Sequence, residues 1–288
     1  VMRFLDNVLT DFINRAPESF KNAKYSAMRE RSVGLGVMGF HSFLQKNSIP
    51  FESVMSKVWN DKIFKHIELG VDKASKKLAE ERGACPDAEE YGYKERFSNK
   101  TAIAPTASIS IICGGASPGV EPIAANSYTH KTLSGSFNVR NRHLIKLLKE
   151  KGFNNEKTWS SITVNQGSIQ HLDFLNQHEK DVFKTAFELD QRWIIELAAD
   201  RTPFIDQAQS VNLFLPADIH KRDLHQIHFG AWKLGMKSLY YCRSKSIQRA
   251  EDVSTNEAGL RNLDIKCEET QSAPHEDPID YEECLACQ

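Results

Sequence analysis

Tyr240 and Tyr241 stand side by side at the end of the apolar stretch "KSLYY". About 40 residues later the chain ends in "CLACQ", which places Cys284 and Cys287 in polar sequence. A third segment, "PTASIS", runs from Pro105 to Ser110 and offers small and hydroxyl side chains. Each residue type suggests a chemistry. Phenols lose an electron and a proton together, so two close phenols can relay a radical hole where no metal is present. Two cysteines in a C-L-A-C spacing can close a disulfide and exchange it with another thiol pair. Proline at the head of a helix lacks one orphan N–H and fixes φ, and a helix N-terminus with open N–H groups attracts phosphate through its dipole.

Each segment also has a plainer reading. Neighbouring residues in a strand point to opposite faces, so the tyrosines are equally consistent with a strand end that sends one ring into the core. "PTASIS" is equally consistent with an ordinary capped helix start. The tail cysteines could be an inert exposed pair. A zinc site needs four ligands; Cys267, His275, Cys284 and Cys287 supply four on paper, but their spacing matches no zinc module. The combination is more restrictive than its parts. A phosphate cradle, a phenol relay and a dithiol together suit radical reduction of a phosphorylated substrate, with thiols as the electron source.

The elements that must position these residues follow from periodicity. The chain has 288 residues, enough for one large domain or two small ones, and its 40% apolar and 26% charged composition is that of a globular protein. A net charge of -1 gives no electrostatic reason to expect nucleic acid or an anionic membrane as partner. No apolar run approaches the roughly 20 residues needed to span a bilayer, and the N-terminus does not read as a signal peptide; the expectation is a cytoplasmic protein. Helical spacing is present from Phe4 to Ile13, and Ile63, Ile67, Val71, Ala74 and Leu78 trace one face of a helix from about Ser56 to Arg82, with Gly83 as its cap. "SVGLGVMGF" (Ser32 to Phe40) is read as tight helix packing; its Gly-x-Gly does not by itself make a nucleotide site. A helix is expected over Glu179–Ala199 and another over Ile219–Leu234, the latter ended by Gly235. Short strands are expected before Pro105, over Ser210–Pro216 and over Lys237–Tyr241; the stretch 157–170 reads as polar. Long helices between short apolar strands imply α/β layering with parallel strands and ligands at the strands' carboxyl ends. Cys85, Cys113 and Cys242 read as buried small hydrophobes. The segment from Cys267 onward is acidic, contains proline, and has too little to bury to fold alone.

Several of these stretches resemble one family: the large (α) catalytic subunit of class I ribonucleoside-diphosphate reductase. "RSVGLGVMGFHSFL", "LAEERGACP", "TAIAPTASISIICGGASPGVEP", "IDQAQSVNLFL" and "FGAWKLGMKSLYYCRS" resemble five of its segments in the family's order. The resemblance implies an α/β fold, with residues 1–243 as the C-terminal half of a ten-stranded α/β barrel and residues 244–288 as a flexible C-terminal tail. It implies that Pro105, Thr106, Ala107, Ser108 and Ile109 hold the substrate diphosphate. Ala107 stands where many relatives carry Gly, so the backbone approaches the phosphates less closely there. It further implies that Tyr240 and Tyr241 form the inner pair of a radical relay from a β subunit, whose metal-based cofactor generates the radical. Cys284 and Cys287 would then be the tail dithiol that re-reduces the active-site disulfide and is itself reduced by thioredoxin or glutaredoxin. The substrate would be a ribonucleoside diphosphate. This stretch would carry no cofactor or metal of its own, and no nucleic acid or membrane would be a partner.

The family's radical-bearing cysteine, its substrate-reducing cysteines and its allosteric ATP and dNTP sites would lie upstream of Val1. The expectation is therefore a part that needs the N-terminal half for activity. Alone it would expose strand edges and apolar faces. Two alternatives remain at this point. One is a fragment of the cobalamin-dependent class II branch, which needs no β subunit. The other is a non-catalytic module that binds the partner subunit. A chain of 40 residues spans roughly 35 Å r.m.s., enough for the tail to reach a pocket in its own or a neighbouring subunit.

Overall fold

The computed structural model describes residues 1–132 and 135–245. The chain opens with α1 (Met2–Arg15), α2 (Lys21–Glu30), α3 (Phe40–Lys46) and the long α4 (Val54–Arg82), followed by α5 (Pro86–Glu90) and the short α6 (Ala107–Ile112). A hairpin, β1 (Ser127–Thr132) and β2 (Gly135–Arg140), leads into α7 (Arg142–Glu150), α8 (Glu156–Val164), α9 (Gln177–Val182) and α10 (Gln191–Arg201). The last elements are β3 (Leu213–Pro216), α11 (Lys221–Lys233) and β4 (Cys242–Lys245).

The 29-residue α4 is the element most plainly dictated by sequence. The Ser53 hydroxyl accepts the Ser56 N–H at its start, and Gly83 leaves the helix at φ 85°. Its apolar face serves two clusters. Ile63 and Phe64 join the main core with Phe40, Leu44, Leu197 and Phe214, whereas Ile67, Val71, Ala74 and Leu78 pack with Met2 and Phe97. A third cluster gathers α7, α8 and α9 around Trp159, Leu144 and Ile162.

Parallel pairing organises the centre. Val33 N–H donates to Asn99 and Leu35 N–H to Lys100 (3.0 and 2.8 Å), and Ala102 N–H returns to Leu35 (3.1 Å). Gln207 N–H donates to Thr101 (3.1 Å), Ile103 N–H to Ala208 (3.2 Å) and Ser210 N–H to Ile103 (2.9 Å). Tyr240 N–H donates to Val211 (2.8 Å) and Leu213 N–H to Tyr241 (2.9 Å), after which β3 and β4 pair in parallel from Leu213 opposite Cys242. Four chain segments thus lie side by side in the order 33–35, 99–103, 207–216 and 240–245, with helices between them, as the α/β reading requires.

Several local expectations need correction. "SVGLGVMGF" is extended through Leu35 and enters a helix only at Phe40. The tight packing is real but belongs to strands: a side chain at Gly36 would stand 2.5 Å from the Ala102 carbonyl oxygen. The single helix expected over Glu179–Ala199 is broken between α9 and α10. Val182 and Phe183 join the α7–α8 cluster while Ala186 and Leu189 join the main core. One straight helix would have to face both, so the chain turns at 183–190 and restarts with Asp190 accepting the Arg192 N–H. The polar stretch 157–170 contains most of α8, whose two buried apolar residues, Trp159 and Ile162, were too few to show a period. The antiparallel hairpin β1–β2 lacks an alternating apolar pattern and was not foreseen. Of the cysteines, Cys85 is buried, but Cys113 and Cys242 are exposed.

Apolar side chains also reach the surface. Phe4 and Val8 on α1 and Ile109, Ile111 and Ile112 on α6 are all exposed. Among the described residues, no helix is long and apolar enough to cross a membrane.

One buried carboxylate ties the N-terminal helices together. Asp6 on α1 is fully buried and accepts hydrogen bonds from Arg31 at the end of α2 (2.7 Å), Arg82 at the end of α4 (2.6 Å) and Arg96 (2.9 Å). Burial alone would raise its pKa, but the three guanidinium groups together hold the carboxyl below the usual carboxylate range. Because the folded value is the lower one, this stabilisation is present above the unfolded value of about 3.9 and is lost as pH falls through the folded value. Asp6→Asn is expected to cost about 3 kcal/mol by leaving buried guanidinium groups without their counter-charge. Urea unfolding at pH 7 measures this, and the gap between variant and parent should close in strong acid.

Candidate functional site

The segment 105–109 leaves the end of the strand 99–103 and turns sharply. Thr106 adopts the left-handed conformation (φ 54°, ψ 31°) and precedes the first residue of α6, Ala107. Pro105 therefore stands one residue before the helix cap and is not its first residue. The Thr106 hydroxyl does not cap the helix. It accepts the Gly119 N–H instead, at 2.7 Å. Among the described residues, the N–H groups of Ala107, Ser108 and Ile109 meet no acceptor. Small side chains at Ala107 and Ser108 leave those amides accessible.

The contrast with α3 is instructive. Its N-terminus begins at Gly39, which is left-handed like Thr106, but the protein fills it. Gly39 N–H donates to the Ser117 carbonyl (2.8 Å), Ser42 N–H to the Ser117 hydroxyl (3.1 Å), and Ser117 N–H returns to the Ser42 hydroxyl (2.8 Å). The loop 114–119 is pinned to the start of α3 by these bonds. Gly119 sits at φ 46°, where an added side chain would lie 2.9 Å from the Ala104 carbonyl oxygen. The result is a rigid cradle with one helix start occupied and the other open.

The tyrosines do not alternate across a strand. Residues 238–241 run outside the regular β4 pleat, and the rings of Tyr240 and Tyr241 lie on one another, with centroids 4.1 Å apart and planes at 49°. Both are substantially exposed, at 40% and 46%. Their backbone is fixed from β3's side. Tyr241 N–H donates to the Asn212 side-chain oxygen (3.1 Å), and Asn212 is fully buried.

Asn212 leads to a residue that sequence reading missed. Its backbone N–H approaches the Glu121 carboxylate at 3.4 Å. Glu121 is buried and lines a cavity of about 510 Å³ together with Pro105, Ala107, Phe214 and Arg243. Burial pushes this carboxyl up, against the opposing pull of Asn212, Arg243 and Arg201. The signal was available: in "CGGASPGVEP" Glu121 is the one charged residue among small and apolar neighbours. Beside it, Ile123 N–H donates to Nδ1 of His41 (3.0 Å), whose complete burial pushes its pKa down to about 3, so the ring is neutral.

The structure thus sets the 105–109 turn, which follows the segment 99–103, and the Tyr pair, which precedes β4, on the two sides of the segment 207–216. Cys284 and Cys287, like Cys267 and His275, lie outside the described residues. Among the described residues, no group of three or more His, Cys, Asp or Glu could hold a metal ion.

Comparison with known proteins places this geometry. The family described as ribonucleotide reductase, barrel domain, matches residues 1–96 and 87–242. The ribonucleoside-diphosphate reductase large subunit of Invertebrate iridescent virus 6 is 49% identical over 260 residues, covering 89% of this chain and 27% of that protein. The putative large subunit of Frog virus 3 is 38% identical over 291 residues, covering all of this chain and 48% of that protein. Among solved structures, the Actinobacillus ureae class Id ribonucleotide reductase alpha subunit superposes with a TM-score of 0.79 at 41% identity, covering 85% of this chain and 45% of that one. The chain therefore spans from about a quarter to about half the length of these relatives.

The Gly119 position gives a direct test of the cradle's rigidity. Gly119→Ala should destabilise the fold by about 1–3 kcal/mol, the usual cost of forcing a side chain into a sparsely populated backbone conformation, with a further loss if the Thr106 bond breaks. Denaturant unfolding measures the loss, and an unchanged midpoint would mean that the loop relaxes freely.

Proposed function

Since this chain belongs to the ribonucleotide reductase barrel-domain family, we propose that it works as the C-terminal part of the catalytic barrel of a class I ribonucleoside-diphosphate reductase large subunit. The reaction would exchange the substrate's 2′-hydroxyl for hydrogen: ribonucleoside diphosphate and a dithiol give deoxyribonucleoside diphosphate, a disulfide and water. The observation that carries this reading is the placement of an open helix start and a close Tyr pair on the two stretches that flank the segment 207–216.

In this reading Pro105, Thr106, Ala107, Ser108 and Ile109 bind the substrate's diphosphate. The three unpaired N–H groups at the start of α6 supply donors, and the helix dipole favours the negative charge. The binding surface needs no lysine. It needs a backbone that does not move, which the Thr106–Gly119 bond and the Ser42–Ser117 pair provide.

Tyr240 and Tyr241 serve as the inner relay. Each phenol would lose one electron and one proton to the next oxidised site and recover both on the way back. A centroid separation of 4.1 Å is short enough for direct transfer between the two rings. The oxidising equivalent comes from the metal-based cofactor of a small subunit, and this requirement favours class I over the cobalamin-dependent branch. Cys284 and Cys287 take up the disulfide left by turnover, exchange it by thiolate attack, and pass it to thioredoxin or glutaredoxin.

Combined with the upstream barrel half that its relatives carry and with a radical-generating small subunit, the chain should reduce a ribonucleoside diphosphate. Tyr241→Phe should lower that turnover to background, because Phe has no phenolic proton to lose, with an unchanged circular-dichroism spectrum. Full activity in that variant would overturn the relay. Cys284→Ser with Cys287→Ser should leave a single turnover intact and abolish multiple turnover driven by thioredoxin. Equal multiple turnover in that variant would remove the tail from the cycle.

A further inference from the structure

A positive cluster lies where α3 meets α7, outside the substrate turn. Lys46 ends α3, and Arg142, His143 and Lys146 occupy the first turns of α7. The Asn141 amide that caps α7 donates to the Gln45 side chain of α3 at 3.0 Å, which sets Lys46 near the start of α7, and Arg142 Nε donates to His143 Nε2 at 3.4 Å; burial, and then the charges of Arg142, Lys46 and Lys146, lower the His143 pKa. Among the described residues, Lys46, Arg142 and His143 have no carboxylate partner, and Lys146 has only Glu150, 3.9 Å away on the exposed side of α7. Arg140, by contrast, is already paired with Glu156 and lies over the Trp159 ring. Arg142 is held in place by donating to the Gly114 carbonyl at 3.0 Å.

The cluster is distinct from the diphosphate turn. Gly114 lies beyond the C-terminal end of α6, whose six residues span roughly 9 Å. Residues 105–109 are at the opposite end. Nevertheless both ends border one cavity, since Pro105, Ala107, Arg142 and His143 all line it. Arg243 lines it as well, two residues before Lys245, the last described position. The remaining 43 residues follow in sequence on a segment whose Arg243 lines this cavity.

Those residues carry the complementary charge. Between Cys267 and Gln288 the sequence has seven carboxylates (Glu268, Glu269, Glu276, Asp277, Asp280, Glu282 and Glu283) and no Lys or Arg. We propose that this acidic segment docks on the Lys46–Arg142–His143–Lys146 cluster of its own chain. The docking deepens the role given above to the tail and rests on that reading for its purpose: Cys284 directly follows Glu283, so a seated acidic segment brings the dithiol to the mouth of the cavity in which the substrate turn lies. Tethering raises the local concentration of the segment, so weak charge pairing is enough to bias its position. Without the seat, the dithiol would sample its whole reach.

Carbodiimide crosslinking of the full chain tests the contact, because it joins a carboxylate to a lysine amine only where the two touch. Peptide mapping of the monomer should find the tail carboxylates joined to Lys46 and Lys146 several-fold more often than to Lys65 and Lys73, exposed lysines on α4. The excess should fall as salt shortens the screening length from about 10 Å at 0.1 M to about 3 Å at 1 M. It should also fall in Arg142→Gln, and in Glu282→Gln with Glu283→Gln, which leaves residues 1–245 untouched. Crosslinks spread evenly over all exposed lysines, or an excess insensitive to salt and to both variants, would overturn the proposal. The readout needs no turnover. Inactivity of the reconstituted enzyme with the crosslinks intact would count against the reductase reading and leave the docking standing.

Discussion

The segment from Gln207 to Leu215 is hydrogen-bonded along both edges, and the rest of the candidate site depends on that. On one side it pairs with Thr101 and Ile103, which aim the chain into the Pro105 turn. On the other it pairs with Tyr240 and Tyr241, whose backbone it holds through Val211, Leu213 and the Asn212 side chain. A parallel ladder fixes register on both sides at once. A slip of one residue on either edge would reverse the inward and outward faces of Val211, Leu213 and Phe214, which the core clusters do not permit.

Around this ladder, charged side chains do the anchoring that apolar contacts cannot. Asp206 accepts from Lys100 N–H and Thr101 N–H, both at 2.7 Å, and its own N–H donates to the Thr101 hydroxyl at 3.0 Å. Arg201 is fully buried, with its guanidinium on Gln209 and Asn60, so α10, α4 and the central segment share one set of hydrogen bonds. Lys237 places its ammonium among the carbonyls of Ile205, Asp206 and Gln207. Charged groups satisfied in this directional way resist sliding, whereas methyl groups tolerate it.

The two helix starts show how the same local geometry is put to different uses. The start of α3 is consumed by the Ser117 loop, and the start of α6 is kept open because the Thr106 hydroxyl is turned toward Gly119. A threonine in the capping position would ordinarily close the helix. The left-handed backbone at Thr106 prevents this and directs the hydroxyl into the supporting loop. The strain is local, and the surrounding bonds hold it.

Sequence alone determined the long α4, with its one-sided apolar face and glycine end, and the parallel α/β class, and it singled out three segments whose residue types suit the proposed chemistry. These rest on local periodicity and residue type, which need no partner to be read. It could not locate the break between α9 and α10, because that break exists only to let one stretch serve two cores. Nor could it choose between a Tyr pair split across a strand and one with its rings in contact, since the choice depends on where regular pleating stops. Glu121 showed only as a lone charge among small and apolar residues, and the cluster of Lys46, Arg142, His143 and Lys146 was hidden, being assembled from positions up to 100 residues apart. Their proximity was decided by tertiary packing, because charge and burial act through space and sequence spacing records only distance along the chain.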